Sequence, residues 1–278
     1  MRYPPIATHQ IRPILEAAYQ GFHNEYHRDR DPVNWPHRFT DKTDREVAAF
    51  FSAILAYGNV ASILNSLKNL FDALGPSPSN GLFKSELAHQ LDNFRHRFTR
   101  GIDVVIVCHW LRHVLERHRS IEAFFLSFRH SSTEPMRITL SKFVEGLHSI
   151  ALPRHLRTLY TDRKRSIHYL IPNPTLGSSC KRLNLFLRWV VRRADGIDLG
   201  LWNAVSPREL LLPIDTHVLR VIRELGWTKS TRARWLTVEE ATEQLRLYCP
   251  TDPIRYDFSL CHLSMSGFTL KDYYAKME

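Results

Sequence analysis

Residues 211–223 of the chain read Leu-Leu-Pro-Ile-Asp-Thr-His-Val-Leu-Arg-Val-Ile-Arg. The apolar residues after Asp215 recur at helical spacing, and Gly226 follows them as a stop signal. Asp215 therefore stands at the N-cap of a predicted helix, where backbone N–H groups stabilise a carboxylate. Because aspartate is a favoured cap residue even without a chemical role, this stretch alone leaves a structural cap and a functional carboxylate both open.

Residues 176–181, Leu-Gly-Ser-Ser-Cys-Lys, predict a tight turn that leads into a second helix. Gly177 permits backbone angles that other residues resist, and the N–H groups at a helix start form an anion site suited to a phosphate. Lys181 falls in the first helical turn, where the positive helix end disfavours the charged form of its amine. A neutral lysine is a nucleophile able to form a Schiff base, whereas the plainer alternative is a surface lysine beside Arg182.

The composition is that of an ordinary globular protein. The chain has 278 residues, enough for one large domain or two lobes, and Lys plus Arg exceed Asp plus Glu by 38 to 28. This excess suits a polyanionic partner such as nucleic acid. No signal-peptide core or membrane-length apolar run is found, so we expect no membrane partner. The cysteines form no CxxC pair and predict reduced thiols of a cytosolic protein: Cys108, Cys180, Cys249 and Cys261.

Apolar residues recur at helical spacing along most of the chain, and alternating strand patterns are nearly absent. The sequence therefore predicts an all-α protein with about ten helices, near residues 11–26, 45–57, 60–74, 102–119, 120–128, 136–150, 180–193, 215–225, 238–248 and 256–267. Thr237 is the predicted cap of the 238–248 helix. We expect a single unit, 1–278, of two helical lobes. Residues 40–150 mainly form the first, and 151–270, joined by the N-terminal helix, form the second.

The glycine turn with Lys181, followed by Pro213-Ile214-Asp215-Thr216-His217-Val218, resembles the helix–hairpin–helix DNA glycosylase superfamily, which includes endonuclease III and the 8-oxoguanine DNA glycosylases. The resemblance implies a two-lobed helical glycosylase-like fold with a modified helix–hairpin–helix element. In that superfamily the hairpin grips the DNA backbone and its lysine attacks the sugar C1′. An aspartate activates the lysine or stabilises the developing sugar cation. The resemblance assigns the two catalytic positions to Lys181 and Asp215.

The hairpin residues Gly177, Ser178 and Ser179 are expected to offer N–H groups to a DNA phosphate. The other predicted DNA-binding residues lie beside the two motifs and in the densest basic tract, 153–165: Arg182, His217, Arg154, Arg157, Lys164 and Arg165. Cations of this kind supply salt-sensitive affinity that does not depend on base sequence. For the basic tract, an ordinary solvated surface is the alternative.

Two further segments resemble parts of the family that handle the extruded base. Residues 56–63 are similar to a helix–turn–helix of 8-oxoguanine glycosylases whose turn fills the gap left by that base. They indicate Tyr57, Gly58 and Asn59, with a plain Gly-Asn helix break as the alternative. Residues 252–262 are similar to the last helix of the family, which lines the base pocket. They indicate Phe258, Cys261 and His262, with simple core packing as the alternative.

The chain departs from the family pattern at defined places. The second hairpin glycine is replaced by Ser179, and the interval between Lys181 and Asp215 is lengthened through residues 192–207. This extra segment either leaves the lysine and the aspartate together or removes the lysine from its role. The iron–sulfur ligands of endonuclease III are absent. From about residue 31 to residue 267 the sequence is also similar to an uncharacterised bacterial group, the domain-of-unknown-function 2400 family.

We therefore predict a base-excision-repair DNA glycosylase, with AP lyase activity as an option, that flips and excises a damaged base such as 8-oxoguanine from duplex DNA. The alternatives are a catalytically silent DNA-binding member of the same fold and a metal-dependent hydrolase that uses Asp215, His217 and other His residues. No iron–sulfur cluster or other resident cofactor is expected, although the resemblance leaves room for a monovalent cation at the hairpin. We expect a cytoplasmic, nucleoid-associated monomer.

Overall fold

The structure is a computed structural model that describes residues 6–276. In chain order its helices are α1 (Thr8–Phe22), α2 (Glu25–Arg28), α3 (Asn34–His37), α4 (Lys42–Ile54), α5 (Val60–Leu74), α6 (Pro78–Gly81), α7 (Leu87–Gln90), α8 (Gly101–His118), α9 (Ile121–Leu126), α10 (Met136–Ser149), α11 (Arg154–Leu170), α12 (Lys181–Val191), α13 (Thr216–Glu224), α14 (Trp235–Arg246), α15 (Asp257–Met265) and α16 (Leu270–Tyr274). Strands β1 (Arg95–His96) and β2 (Thr99–Arg100) form one antiparallel hairpin, and 3-10 turns span Pro174–Leu176 and Pro207–Glu209. The all-α prediction is confirmed.

Helices α4 and α14 begin three residues before their predicted starts. Helix α4 begins at Lys42, since the Asp41 side chain accepts hydrogen bonds from the N–H groups of Thr43 and Asp44 at 2.8 and 3.0 Å. Helix α14 begins at Trp235, so Thr237 is a buried residue inside the helix and not its cap. The α4 start is thus held by a side-chain cap that precedes the apolar pattern, whereas α14 has no side-chain cap and begins with the buried Trp235.

The chain forms two compact units. Of the described residues, unit 1 takes 6–29, 177–200 and 205–276, and unit 2 takes 30–176 and 201–204. The boundary therefore falls after residue 176 and not after 150. The reason lies in α11, which packs against α8 and is joined to it by the ion pair of Arg163 with Asp103 at 2.6 Å. The basic tract thus belongs to unit 2.

Unit 1 is organised around α15, which packs against α1 and α13. Its core is made of buried apolar side chains from the N-terminal and the C-terminal parts of the chain, among them Ile14, Leu15, Ala18, Trp189, Val190, Val218, Ile222, Val238, Leu260 and Leu263. Helix α1 is further joined to the start of α15 by the Tyr256 hydroxyl, which donates to the Glu16 carboxylate. The N-terminal helix is therefore an integral part of this unit.

Two arginines of α12 carry a buried ionic network through unit 1. Arg188 contacts Asp257 at 2.7 Å and Asp198 at 3.1 Å, and Arg192 bonds Asp198 and, at 2.9 Å, Asp252. Burying charges is costly unless they are paired, and here four carboxylates surround the two guanidinium groups, since Asp195 also lies 3.4 Å from Arg192. The network folds the segment after α12 back onto that helix, so that the Leu199 N–H donates to the Trp189 carbonyl at 2.7 Å.

Unit 2 contains a buried carboxylate that joins three parts of the chain. Glu46 on α4 accepts hydrogen bonds from the N–H groups of Ile121 and Glu122 at 2.7 and 2.8 Å, and from the Trp202 indole N–H at 2.6 Å. Burial raises the pKa of Glu46, while these three donors favour its charged form. The contact with Trp202 explains why residues 201–204 belong to unit 2 although their neighbours in sequence do not.

Unit 2 also contains a histidine whose protonation opposes folding. His148 stacks on Trp110 with ring centroids 5.0 Å apart and lies 4.4 Å from the His168 ring. Burial, with the nearby His168 and Lys164, lowers the pKa of His148 to about 4. In the unfolded chain this histidine takes up its proton near the ordinary histidine pKa of about 6.5, so its contribution to stability is present above that pH and is lost as the pH falls toward 4.

The His148→Gln variant is therefore expected to lose less stability than the wild type when the pH is lowered from 7.5 to 5. Between these two pH values, the free energy of unfolding should fall by about 2 kcal/mol less in the variant than in the wild type. This is the value for a single group with the two pKa values given above. Urea unfolding at the two pH values measures it, with His89→Gln as the control because that side chain is exposed and 89% accessible. Equal pH-dependent losses in His148→Gln and wild type would contradict the expectation.

Candidate active site

Asp215 is the N-cap of α13, as the sequence predicts. Its Oδ1 accepts hydrogen bonds from the backbone N–H groups of His217 and Val218, both at 2.9 Å. The preceding Pro213 is covered, and Ile214 is 1% exposed, so the approach to the cap is anchored in the core of unit 1. Because Oδ1 is engaged with the helix start, Oδ2 is the oxygen that meets other side chains.

Lys181 is the first residue of α12 and follows a turn with two left-handed residues. Gly177 has φ +80°, and a Cβ there would meet nothing within 4 Å, so the backbone angle and not crowding is what favours glycine. Cys180 is the second, with φ 46°, and it is buried. The turn into a helix and the lysine in its first turn are confirmed. The sequence does not predict the left-handed angle at Cys180, because such angles favour glycine.

The two predicted catalytic side chains converge. The Lys181 Nζ lies 3.6 Å from the Asp215 Oδ2, and the two side chains are 25% and 22% exposed. An external molecule can therefore reach the pair, although most of each side chain is covered. The inserted residues 192–207 leave this geometry intact, because their first half folds back on α12 through Asp198 and Leu199.

Around this pair, α15 contributes one half-buried thiol. The Cys261 Sγ lies 4.0 Å from the Asp215 Oδ2 and 3.9 Å from the Met265 Sδ. A thiol is a weak hydrogen-bond donor, so Cys261 adds a mild electrostatic contact to the carboxylate oxygen that faces Lys181. Of the three residues that the sequence assigns to a base pocket, Cys261 is the one that lies against the lysine–aspartate pair.

The other two predicted pocket residues are core residues. Phe258 and His262 are 2% and 6% exposed, and their rings pack against each other with centroids 4.2 Å apart. The His262 ring also lies 4.9 Å from the ring of His27, and Phe258 meets the edge of His23 at 5.9 Å. Because α15 is covered by the N-terminal helices of unit 1, neither ring presents a face to an external base. The simple core alternative applies to both.

A buried carboxylate, Asp257, lies within electrostatic reach of the site. Burial raises its pKa to about 6, against the opposing effect of Arg188; the charge of Asp215 raises it further and that of Lys181 lowers it. Its Oδ1 is buried without a hydrogen-bond partner. Sequence reasoning missed Asp257. The available signal was its position at the start of the last predicted helix, together with Arg188 on the inner face of α12.

The turn at residues 177–180 is paired with a basic loop. Ser178 forms an isolated antiparallel bridge with Arg234, and the Trp235 N–H donates to the Gly177 carbonyl at 3.3 Å. The loop lines an open pocket with hydroxyl and cationic side chains: Thr228, Lys229, Ser230, Thr231, Arg232 and Arg234. Lys229, Arg232 and Arg234 are exposed. The sequence of this loop predicts only a connection between helices, since its cations are spaced among small polar residues.

Residues 31–266 match a family model described as "Protein of unknown function (DUF2400)". The chain belongs to this DUF2400 family. Comparison with curated proteins and with solved structures gives no match. In this DUF2400 protein the matched residues include α3 to α15, so both Lys181 and Asp215 lie within the family region.

The residues of this DUF2400 protein that are predicted to contact the DNA backbone differ in how far they are exposed to solvent. Arg182 is 7% exposed, so its burial in α12 removes the support for a phosphate contact at that residue. His217 is half-buried. Its backbone N–H donates to the Asp215 carboxylate, and its backbone carbonyl accepts from the Ser264 hydroxyl at 3.2 Å. Ser178 and Ser179 are half-buried and Gly177 is exposed. The cations of α11 are exposed in unit 2: Arg154, Arg157, Lys164 and Arg165.

The predicted gap-filling turn is a capped helix break in unit 2. Asn59 caps α5 by accepting from the Ala61 N–H at 2.9 Å, and Gly58 has φ +101°. The Tyr57 hydroxyl donates to the His96 carbonyl at 3.0 Å, and its ring is half-buried. The structural alternative thus accounts for Gly58 and Asn59, while Tyr57 is fixed against the β1–β2 hairpin.

The described residues contain no group of three or more His, Cys, Asp or Glu side chains placed to hold a metal ion. The metal-dependent alternative at Asp215 and His217 therefore has no third donor within residues 6–276. Over the same range, no helix combines the length and the apolar character that crossing a membrane requires.

Proposed function

We propose that this DUF2400 protein is a DNA glycosylase that removes a damaged base from duplex DNA, with lyase chemistry available through Lys181. The observation that carries the proposal is the approach of the Lys181 Nζ to within 3.6 Å of the Asp215 Oδ2 in a solvent-accessible part of unit 1. A lysine beside a fixed carboxylate is the pair that activated-amine chemistry needs. Its two members come from the motifs that resemble the helix–hairpin–helix glycosylases.

The two carboxylate oxygens of Asp215 have different roles in the proposed reaction. The Oδ1 accepts hydrogen bonds from the N–H groups at the start of α13, which keeps the carboxylate oriented. The Oδ2 faces the lysine and accepts a proton from its ammonium group, directly or through water, which leaves an amine lone pair. That lone pair forms a bond to the sugar C1′ while the C1′–N bond to the base breaks, and the electron pair of that bond leaves with the base.

The adduct nitrogen then loses a proton to solvent, and its lone pair forms a C=N bond as the C1′–O4′ bond breaks. The electron pair of that bond and a proton go to O4′, which becomes a hydroxyl, and a Schiff base between Lys181 and the opened sugar results. In a monofunctional course, the negative charge of Asp215 stabilises the sugar cation and water attacks C1′. Both reaction courses need the negative charge of Asp215, whereas only the course through the Schiff base needs the lysine nitrogen. Nearby cations support a polyanionic substrate, since Arg234 is bridged to Ser178 of the 177–180 turn and lines the same pocket as Lys229 and Arg232.

Base release from duplexes that each carry one lesion tests the proposal. The panel includes 8-oxoguanine, other oxidised or alkylated bases and an abasic site, with an undamaged duplex as the control. We expect release of at least one lesion base, and a borohydride-trapped adduct if the lysine reacts. The absence of release across the panel, with DNA binding that weakens as salt rises, would contradict a glycosylase and favour the silent DNA-binding alternative.

A further inference from the structure

We propose that three aromatic side chains of unit 2, Tyr57, Phe98 and Tyr169, form a platform on which unpaired bases of DNA stack. We call this group the aromatic platform. It consists of residues of unit 2, whereas Lys181 and Asp215 belong to unit 1. The inference rests on the proposed function only for the choice of DNA as the nucleic acid, since excision of a base requires locally unpaired DNA.

The aromatic platform presents two large rings to solvent. Phe98 lies in the connection between β1 and β2 and is 44% exposed, and Tyr169 near the end of α11 is 46% exposed. Their ring centroids are 4.5 Å apart with the planes at 79°. The ring of Tyr57 stacks on Phe98 at 5.3 Å and 28°, so one side of Phe98 is supported by protein. An exposed, supported ring is what a stacking base needs.

The hairpin that presents Phe98 is held by polar contacts. The Arg163 guanidinium donates to the Phe98 carbonyl at 2.9 Å and to both oxygens of Asp103 at 2.9 and 2.6 Å. The Asp103 carboxylate also accepts from the Arg100 N–H at 2.8 Å, at the start of α8. These bonds fix the position of the hairpin without covering the Phe98 ring. Apolar surface that is rigidly displayed in this way marks interaction sites.

The charges around the aromatic platform select a polyanion. Neither the segment 95–100 nor the segment 163–169 contains a carboxylate. Exposed cations of the hairpin and of α11 flank the rings: Arg95, Arg97, Arg100, Lys164 and Arg165. Aromatic rings interleaved with cations are the combination by which proteins bind single-stranded nucleic acid, the cations holding phosphates and the rings holding bases. An apolar protein surface would leave these charges without partners.

The test uses the full chain and a duplex with a central gap of three unpaired nucleotides, one of which is the fluorescent base 2-aminopurine. Phe98→Leu keeps an apolar side chain against Tyr57 but removes the stacking face. Phe98→Tyr keeps that face. Phe83→Leu is the matched control, because Phe83 is an exposed phenylalanine of the same unit, 42% accessible. The dissociation constant and the fluorescence of 2-aminopurine are measured for gapped and for fully paired duplexes.

We expect Phe98→Leu to weaken binding of the gapped duplex about tenfold and to abolish the quenching of 2-aminopurine, while binding of the paired duplex stays the same. Phe98→Tyr and Phe83→Leu should behave like the wild type. Equal losses on both duplexes, or no loss on either, would overturn the proposal. The choice of DNA would be overturned if a duplex with an RNA gap bound more tightly than one with a DNA gap and also showed quenching of 2-aminopurine.

This test separates the platform from the proposed enzyme. It reads binding and fluorescence, so it is carried out in parallel on the Lys181→Ala variant, which lacks the proposed nucleophile. If no lesion base is released but quenching depends on Phe98, the proposal of the aromatic platform is supported and the proposal of a glycosylase is contradicted. If bases are released and quenching is indifferent to Phe98, the glycosylase stands and the platform falls.

Discussion

The Lys181→Ala variant is expected to lose the borohydride-trapped adduct with lesion-bearing DNA, and its rate of strand cleavage at the lesion should fall by about three orders of magnitude. The reason is that the Lys181 Nζ is the nitrogen that lies 3.6 Å from the proposed proton acceptor, the Asp215 Oδ2. Gel analysis of trapped adducts and single-turnover cleavage measure the effect. Lys68→Ala is the control, because that lysine is exposed on α5 and pairs only with Asp72 along its own helix.

Asp215→Asn removes the carboxylate charge with little change in shape. Asparagine serves as a helix cap about as well as aspartate, so the bonds to the His217 and Val218 N–H groups should persist and folding should be retained. Base release is nevertheless expected to fall by about two to four orders of magnitude, because neither proton removal nor stabilisation of a sugar cation survives. An unchanged thermal midpoint confirms that the loss is chemical. Full activity of Asp215→Asn would contradict the assignment.

The two variants together define the course of the reaction. If Lys181→Ala still releases bases while Asp215→Asn does not, the enzyme is monofunctional and the lysine positions the carboxylate or the DNA. If Lys181→Ala retains the trapped adduct, another amine is the nucleophile and the assignment of Lys181 is wrong. Equal loss in both variants is the result that the bifunctional course requires.

The Arg188→Met variant is expected to lower the free energy of unfolding by about 3–5 kcal/mol, because it leaves Asp198 and Asp257 buried without their shared cation. Urea unfolding at pH 8 measures the loss. Arg112→Met is the control: its guanidinium pairs with Glu116 on the surface of α8, and such exposed pairs contribute about 1 kcal/mol or less. A loss below about 1 kcal/mol in Arg188→Met would show that the network does not hold unit 1 together.

The same variant should show a distinctive pH dependence. In the wild type, burial raises the pKa of Asp257 to about 6, while Arg188 acts in the opposite direction. Removal of Arg188 therefore raises the pKa further, and the carboxyl group stays neutral over a wider range. A neutral buried acid costs less than an unpaired charge, so the difference in stability between the variant and the wild type should shrink from pH 8 to pH 5.

The parts of the site that follow from local sequence could be predicted. The cap at Asp215 and the glycine turn before Lys181 each depend on a few neighbouring residues, and both are confirmed. Their distance of 3.6 Å could not be read from the sequence. It depends on how the segment of residues 192–207 folds back, and the contact of Asp198 with two arginines of α12 that achieves this is a tertiary one.

Tertiary packing also explains the sequence predictions that the structure corrects. Phe258 and His262 fit the pattern of a pocket-lining helix as well as that of a core helix, and the packing of α1 against α15 decides for the core. The β1–β2 hairpin has strands of two residues each, too short to show alternation. Buried charges such as Arg188 escape detection because periodicity analysis assigns charged residues to the surface.

The packing of α1 against α15 sets an order of events during synthesis. Between Phe22 and Asp257 the ribosome must add some 235 residues, which takes roughly 10–50 s at typical rates. For that period the apolar face of α1 has no native partner, whereas residues 30–176 already contain most of unit 2. Nascent chains of this protein therefore carry α1 without its native packing partner until α15 has been made, and for that period its apolar face is open to chaperones.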